Sequence, residues 1–251
     1  AAEAEDVAIG VQAMRYEGYA VWINQLISGA GGSIIENESV DVADVELGLD
    51  SEAGREAARI IRRVADEGVG GPSMGVSDET VSLNVFENPD TSGFLLQWPY
   101  VWGAFTSNDL DFLDDIGWTM YPTIEEGADP TPPLGGTSIS IGAFTEYPEL
   151  AFDAAECATS HEMQLLFFLR TGAPAARAEV FTEPEILEQL PMAPMIRDSL
   201  EIAVPRPLTP YYSDLSAAIQ RVWSPPGSVN EDTPLESEEL VLAVLRGERL
   251  L

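Results

Sequence analysis

The chain has 251 residues, 45% of them hydrophobic, and carries 43 Asp and Glu against 12 Lys and Arg, a formal net charge of −31. The apolar fraction supplies a sizeable core and separates the chain from disordered acidic tails. The charge excludes a nucleic-acid partner and an anionic membrane face, both of which need clustered cations.

Residues 7–13 are apolar and partly β-branched and predict a short buried strand. Glu17 to Leu26 predicts a helix that ends at Gly29, Gly31 and Gly32. Asp50 to Gly68 predicts an amphipathic helix: Asp50 or Ser51 caps it, Ala57, Ile60, Ile61 and Val64 share one face, and Gly68 stops it. Its arginines 55, 59, 62 and 63 fall near Glu52, Glu56 and Glu67, as on a solvated, salt-bridged face. A Gly/Pro/Ser-rich loop follows at 70–78, and residues 93–97 predict another strand. Trp98-Pro99-Tyr100-Val101-Trp102 opens a new element, because proline disfavours helix before it and suits a helix's first turn.

Residues 117–121 predict a strand, 122–136 a proline- and acid-rich loop, and 137–144 a strand with Ile139, Ile141 and Ala143 on one side. Pro148 opens a helix whose apolar stripe is Leu150, Ala151, Ala154, Cys157 and Ala158, which places Cys157 in a core. Thr159-Ser160-His161-Glu162 predicts the cap of a helix ending before Gly172. Helices are further expected at about 193–203, after Thr209-Pro210 with Tyr212, Leu215, Ile219 and Val222 on one face, and from Thr233-Pro234 to Gly247. Helices outnumber short, separated strands, so the expected class is α/β with helices covering a sheet.

Catalytic constellations find little support. The single histidine, His161, sits at a helix start, and the single cysteine, Cys157, lies in an apolar stripe. Together they leave no disulfide framework, no cysteine-rich zinc site and no multi-histidine metal site. Gly29-Ala30-Gly31-Gly32 follows a helix and lacks the GK[ST] ending of a phosphate loop. Acidic pairs such as Asp114-Asp115 and Glu125-Glu126 are too numerous for one to stand out. No enzyme, cofactor or metal is expected. All twelve cations are arginines, and with dispersed carboxylates they suggest a halophilic surface whose self-repulsion salt relieves.

The aromatic and arginine placement is more informative. Trp98 and Tyr100 flank a proline at a strand end, Arg206 stands between Pro205 and Pro207, and Leu134-Gly135-Gly136 is a bare turn. Flat rings suit the C–H face of a pyranose, a planar fork of donors spans neighbouring hydroxyls, and bare backbone approaches closely. A neutral polyhydroxylated ligand uses all three.

With these residues, the sequence resembles the extracellular sugar-binding proteins of bacterial ABC importers, of the maltose/trehalose type. The likeness is carried by Arg15-Tyr16-Glu17-Gly18 with Gly31-Gly32, Trp98-Pro99-Tyr100, Tyr121-Pro122 with Pro133-Leu134-Gly135-Gly136, the region 147–162, and Arg206-Pro207-Leu208-Thr209-Pro210-Tyr211-Tyr212. The resemblance implies a periplasmic-binding-protein-like, two-lobed α/β fold that closes on an oligosaccharide and delivers it to a membrane permease, with another polar solute (a polyol or glycerophosphodiester) or, less favoured, a glycoside hydrolase as the alternatives. It implies stacking by Trp98 and Tyr100, acceptance of hydroxyl protons by Glu17, turn contacts from Leu134, Gly135 and Gly136, and donation by Arg206 with Tyr211 nearby. It further implies a monomer outside the cytoplasm, as a cell-surface lipoprotein or in the periplasm, with its signal sequence not in this chain.

Family members are longer, and the matched stretches belong to their later part. The expectation is therefore an incomplete copy lacking most of the N-terminal lobe. Residues 1–120 would be the first part of the C-terminal lobe, 121–172 would contribute to the N-terminal lobe, and 173–251 would return to the C-terminal lobe. Apolar surface is then expected to stand open around Ile139, Ile141 and the 150–168 helices, with weak sugar binding at most by this chain alone.

Overall fold

A computed structural model describes residues 2–5, 7–37, 41–91, 93–108, 110–124 and 127–251. The Glu125–Glu126 pair lies outside the described residues. In chain order the elements are α1 (Ala2–Glu5), β1 (Ile9–Gly10), α2 (Glu17–Gly29), α3 (Glu52–Asp66), α4 (Glu79–Glu87), β2 (Phe94–Leu95) and α5 (Val101–Ser107). They continue as α6 (Pro148–Ala158), α7 (His161–Thr171), α8 (Pro184–Gln189), α9 (Ala193–Ile202), α10 (Tyr212–Trp223) and α11 (Thr233–Leu245). Among the described residues the sheet is a parallel pair, with Ile9 opposite Phe94 and Gly10 opposite Leu95. The result is mostly helical, with few strands.

Two compact units divide the chain. The first takes Ala1–Gln97, Tyr121–Pro133 and Ala203–Leu251; the second takes Trp98–Met120 and Leu134–Ile202. The chain thus changes unit near residues 97, 120, 133 and 202.

In the first unit α2 is the central helix. Tyr19, Ile23 and Ile27 recur every four residues and are wholly buried, together with Ile61 of α3 and Ile219 and Trp223 of α10. The Tyr19 hydroxyl donates to the Trp223 carbonyl at 2.9 Å inside this core, so α2 and α10 are pinned by a bond as well as by packing. For α3, Ser51 is the cap, its hydroxyl accepting from the Gly54 N–H at 3.2 Å, and Gly68 (φ +71°) lies just past the end. The wet face of α3 is a ladder: Arg55 pairs with Asp50, Arg59 with Glu52 and Glu56, Arg62 with Asp66, and Arg63 with Glu67.

The second unit gathers a smaller core from Phe168, Val180, Phe181, Ile186, Ala193 and Ile196. Ser160 caps α7 through the Met163 N–H, and Gly172 (φ +70°) ends it. Two predicted strands do not form. Residues 117–121 and 137–144 run as irregular chain, and among the described residues the alternation at 137–144 meets no neighbouring strand to complete a ladder. Ile139 is 57% and Phe144 101% exposed. Cys157 is corrected as well: it is exposed, because α6 buries none of its residues and its apolar stripe faces outward. The open apolar surface expected around Ile139 and along α6 and α7 is present, with Leu150 at 66% and Phe167 at 57% exposure.

Candidate functional site

Glu17 opens α2. Its predecessor Tyr16 is extended and makes no side-chain cap, so a carboxylate in the first turn answers the helix's unpaired N–H end. Gly18 leaves room for the Tyr16 phenol ring, which a Cβ there would push aside. The Glu17 carboxylate is then met by three donors. Arg206 Nη1 and the Tyr212 hydroxyl each reach Oε1 at 2.6 Å, and the Ser216 hydroxyl reaches Oε2 at 2.6 Å.

These donors converge for reasons visible in the chain. Tyr212, Ser216 and Gln220 are spaced by four on α10, which makes them one stripe, while Leu215, Ile219 and Trp223 form the buried stripe beside it. Gln220 Nε2 donates to Ser216 Oγ at 2.9 Å, which orients that hydroxyl towards Glu17. Arg206 arrives on an extended segment: the Val204 N–H donates to the Pro132 carbonyl at 2.8 Å, and Asn24 Nδ2 reaches the Pro205 carbonyl at 3.5 Å. Its guanidinium carbon stands 5.9 Å from the Tyr212 ring centroid. The Arg206 side chain is 29% and the Glu17 side chain 42% exposed, so the pair is half-buried and open to a ligand on one side.

The electrostatics follow from this packing. Burial, and then the bond to Glu17, push the Tyr212 hydroxyl above its ordinary 10.0, so it stays a protonated donor through the neutral range. The formal charges of Glu17 and Arg206 cancel. Three of the roughly four acceptor positions on the carboxylate are occupied by the protein itself.

The other sequence-predicted residues divide between the two units. Tyr211 lies in the first unit at the residue before α10 and is half-buried. Trp98, Tyr100, Leu134, Gly135 and Gly136 belong to the second. There Gly135 lies against Trp98, since a Cβ on Gly135 would come within 2.6 Å of the indole ring. Leu134 is 39% exposed, Gly136 has open space around it, and Tyr100 precedes α5. Tyr212 and Ser216 were missed as site residues. Tyr212 reads as one more apolar-face position of α10, and the signal that finds both is the stripe at 212, 216 and 220.

Elsewhere, His161 Nε2 meets Glu183 Oε1 at 2.9 Å. Among the described residues, no three or more His, Cys, Asp or Glu gather as a metal site, and no helix is long and apolar enough to cross a membrane.

No model of a known protein family matches the chain. A curated relative, a probable ABC transporter-binding protein of Deinococcus radiodurans, is 23% identical over 199 residues, 79% of this chain and 45% of its own length. Among solved structures, maltose-bound T. maritima MalE3 superposes with a TM-score of 0.82 at 23% identity, covering 99% of this chain and 62% of that one. An ABC transporter solute-binding protein of Agrobacterium radiobacter in complex with ribitol gives 0.78 at 15% identity, covering 96% and 59%. The chain therefore spans about half the length of the curated relative and about three-fifths of the solved chains. Its fold is that of the periplasmic solute-binding proteins.

Proposed function

We propose that the chain is part of the solute-recognising component of an ABC-type importer, taking up an extracellular oligosaccharide, with a disaccharide such as trehalose or maltose as its ligand. The observation that carries this reading is the Glu17–Arg206–Tyr212–Ser216 cluster, a half-open set of oriented donors, within a fold shared with a maltose-bound protein over 99% of the chain. In this reading Arg206 donates to ligand hydroxyls through the guanidinium N–H groups that Glu17 does not hold. In the first unit Tyr211 stands five residues after Arg206; in the second, Trp98 and Tyr100 carry ring faces and Leu134, Gly135 and Gly136 turn backbone of the kind a sugar uses. The ligand passes to membrane permease subunits. The protein works as a monomer outside the cytoplasm, as a lipoprotein or in the periplasm, and is not a catalyst.

A polyol is the second reading, favoured by the ribitol complex among the structural neighbours. Intrinsic tryptophan fluorescence of the complete solute-recognising component that includes this chain, titrated with trehalose, maltose, mannitol and ribitol, tests both. A saturable change at millimolar additions, weakened at least about tenfold in Arg206→Ala, is expected for loss of a charge-assisted bond of about 1.5–3 kcal/mol. An unchanged curve in Arg206→Ala clears that residue, and no response to any of the four compounds removes the reading.

A further inference from the structure

Resting on that reading of the site, we infer that Glu17 is a positioning residue, locked by Tyr212 and Ser216, that neutralises Arg206 so that the site accepts neutral polyhydroxyl compounds and turns away phosphate-bearing ones. An arginine with no carboxylate at hand is the side chain best fitted to a phosphate, offering paired parallel donors and a full charge. Here one Nη already points at a carboxylate 2.6 Å away, so the charge is spent before a ligand arrives. A phosphate reaching the remaining guanidinium edge would stand beside the Glu17 carboxylate, and the two like charges would repel across a half-exposed site. A sugar hydroxyl meets no such penalty.

The arrangement is built to keep the carboxylate in place. Tyr212 and Ser216 fix both oxygens, Gln220 fixes Ser216, and the Tyr212 ring lies under the guanidinium. With its burial and its bond to Glu17, Tyr212 keeps its proton wherever the protein works, so this lock does not loosen near neutral pH. Glu17 acts on the ligand through Arg206, and Tyr212 and Ser216 act through Glu17.

Inorganic phosphate titrated into the whole chain by calorimetry tests the charge argument without needing a sugar, at about 0.15 M ionic strength, where the screening length is about 8 Å. Glu17→Gln should bind phosphate roughly tenfold more tightly than wild type, and Glu17→Gln with Arg206→Gln should lose that gain. Glu17→Asp keeps the charge but not the reach. Phosphate affinity as weak as wild type in Glu17→Asp supports neutralisation, whereas an increase matching Glu17→Gln means that only the shape mattered and overturns it. Equal phosphate affinity in Glu17→Gln and wild type also overturns it. Should Glu17→Gln fail to fold, Arg206→Gln alone decides: unchanged phosphate affinity supports a guanidinium already neutralised, and a clear loss overturns it. Failure of the complete solute-recognising component to respond to maltose or mannitol would sink the functional reading alone, leaving the phosphate series to judge this inference separately.

Discussion

The two units carry apolar helices of similar make and bury them very differently. In the first, Tyr19, Ile23 and Ile27 of α2 and Trp223 of α10 are sealed at 0% exposure. In the second, α6 has an equally regular apolar stripe and buries nothing, with Leu150 at 66% and Phe152 at 64% exposure. Periodicity says which residues of a helix agree on a direction. Whether a neighbour stands in that direction is decided by the rest of the fold.

Substitutions sharpen this contrast most strongly in the cores. Phe181→Ala in the second unit should cost about 3–5 kcal/mol and Ile23→Ala in the first about 2–5 kcal/mol, read from urea unfolding curves. A loss under 1 kcal/mol at either position would mean that its core is loosely packed.

The alkaline limit belongs to the first unit, which holds Tyr19, Tyr121 and Tyr212. Burial raises all three above their ordinary 10.0, with the Glu17 bond adding to the effect at Tyr212. A raised folded value means that the folded state keeps protons the unfolded chain releases, so their contribution is complete below pH 10 and is lost as pH rises above it. Unfolding followed at rising pH should therefore start in the first unit, with Tyr19, Tyr121 and Tyr212 losing their protons together with loss of α2 and α10, read from each ring's own NMR signals. Ionisation of these three near pH 10 with the helices intact would contradict this.

Salt should act on the whole surface: with a net charge of −31, the melting temperature should climb as NaCl rises towards molar levels. A flat or falling curve would tie the acidity to solubility alone. The smallest effect is expected on α6, where Leu150→Ala should change stability by no more than about 0.5 kcal/mol while lowering the binding of a hydrophobic dye. A cost of several kcal/mol there would show that the stripe is covered in solution.

Local chemistry was legible in the sequence wherever it is local in space. Ser51, Pro148, Ser160 and Gly172 mark helix ends because each acts on backbone within a few residues. Glu17 and Arg206 were both marked as ligand contacts, yet their bond to each other spans 189 positions and was invisible, as were the hydroxyls of Tyr212 and Ser216. Residues 137–144 fail as a strand for the same reason: alternation describes one partner of a ladder and says nothing about the other. Cys157 shows the limit most simply, since its register on α6 is right and its burial is not.

The bond from Tyr19 to Trp223 joins residues 204 positions apart. At a synthesis rate of about 5–20 residues per second, α2 leaves the ribosome roughly 10–40 seconds before the helix that completes it. Through that interval α2 has α3 to pack against, but the side that later meets Ile219 and Trp223 of α10 stays uncovered. Assembly of the first unit therefore waits for residues 203–251, and an interruption of synthesis between α2 and α10 would leave that side of α2 unmatched.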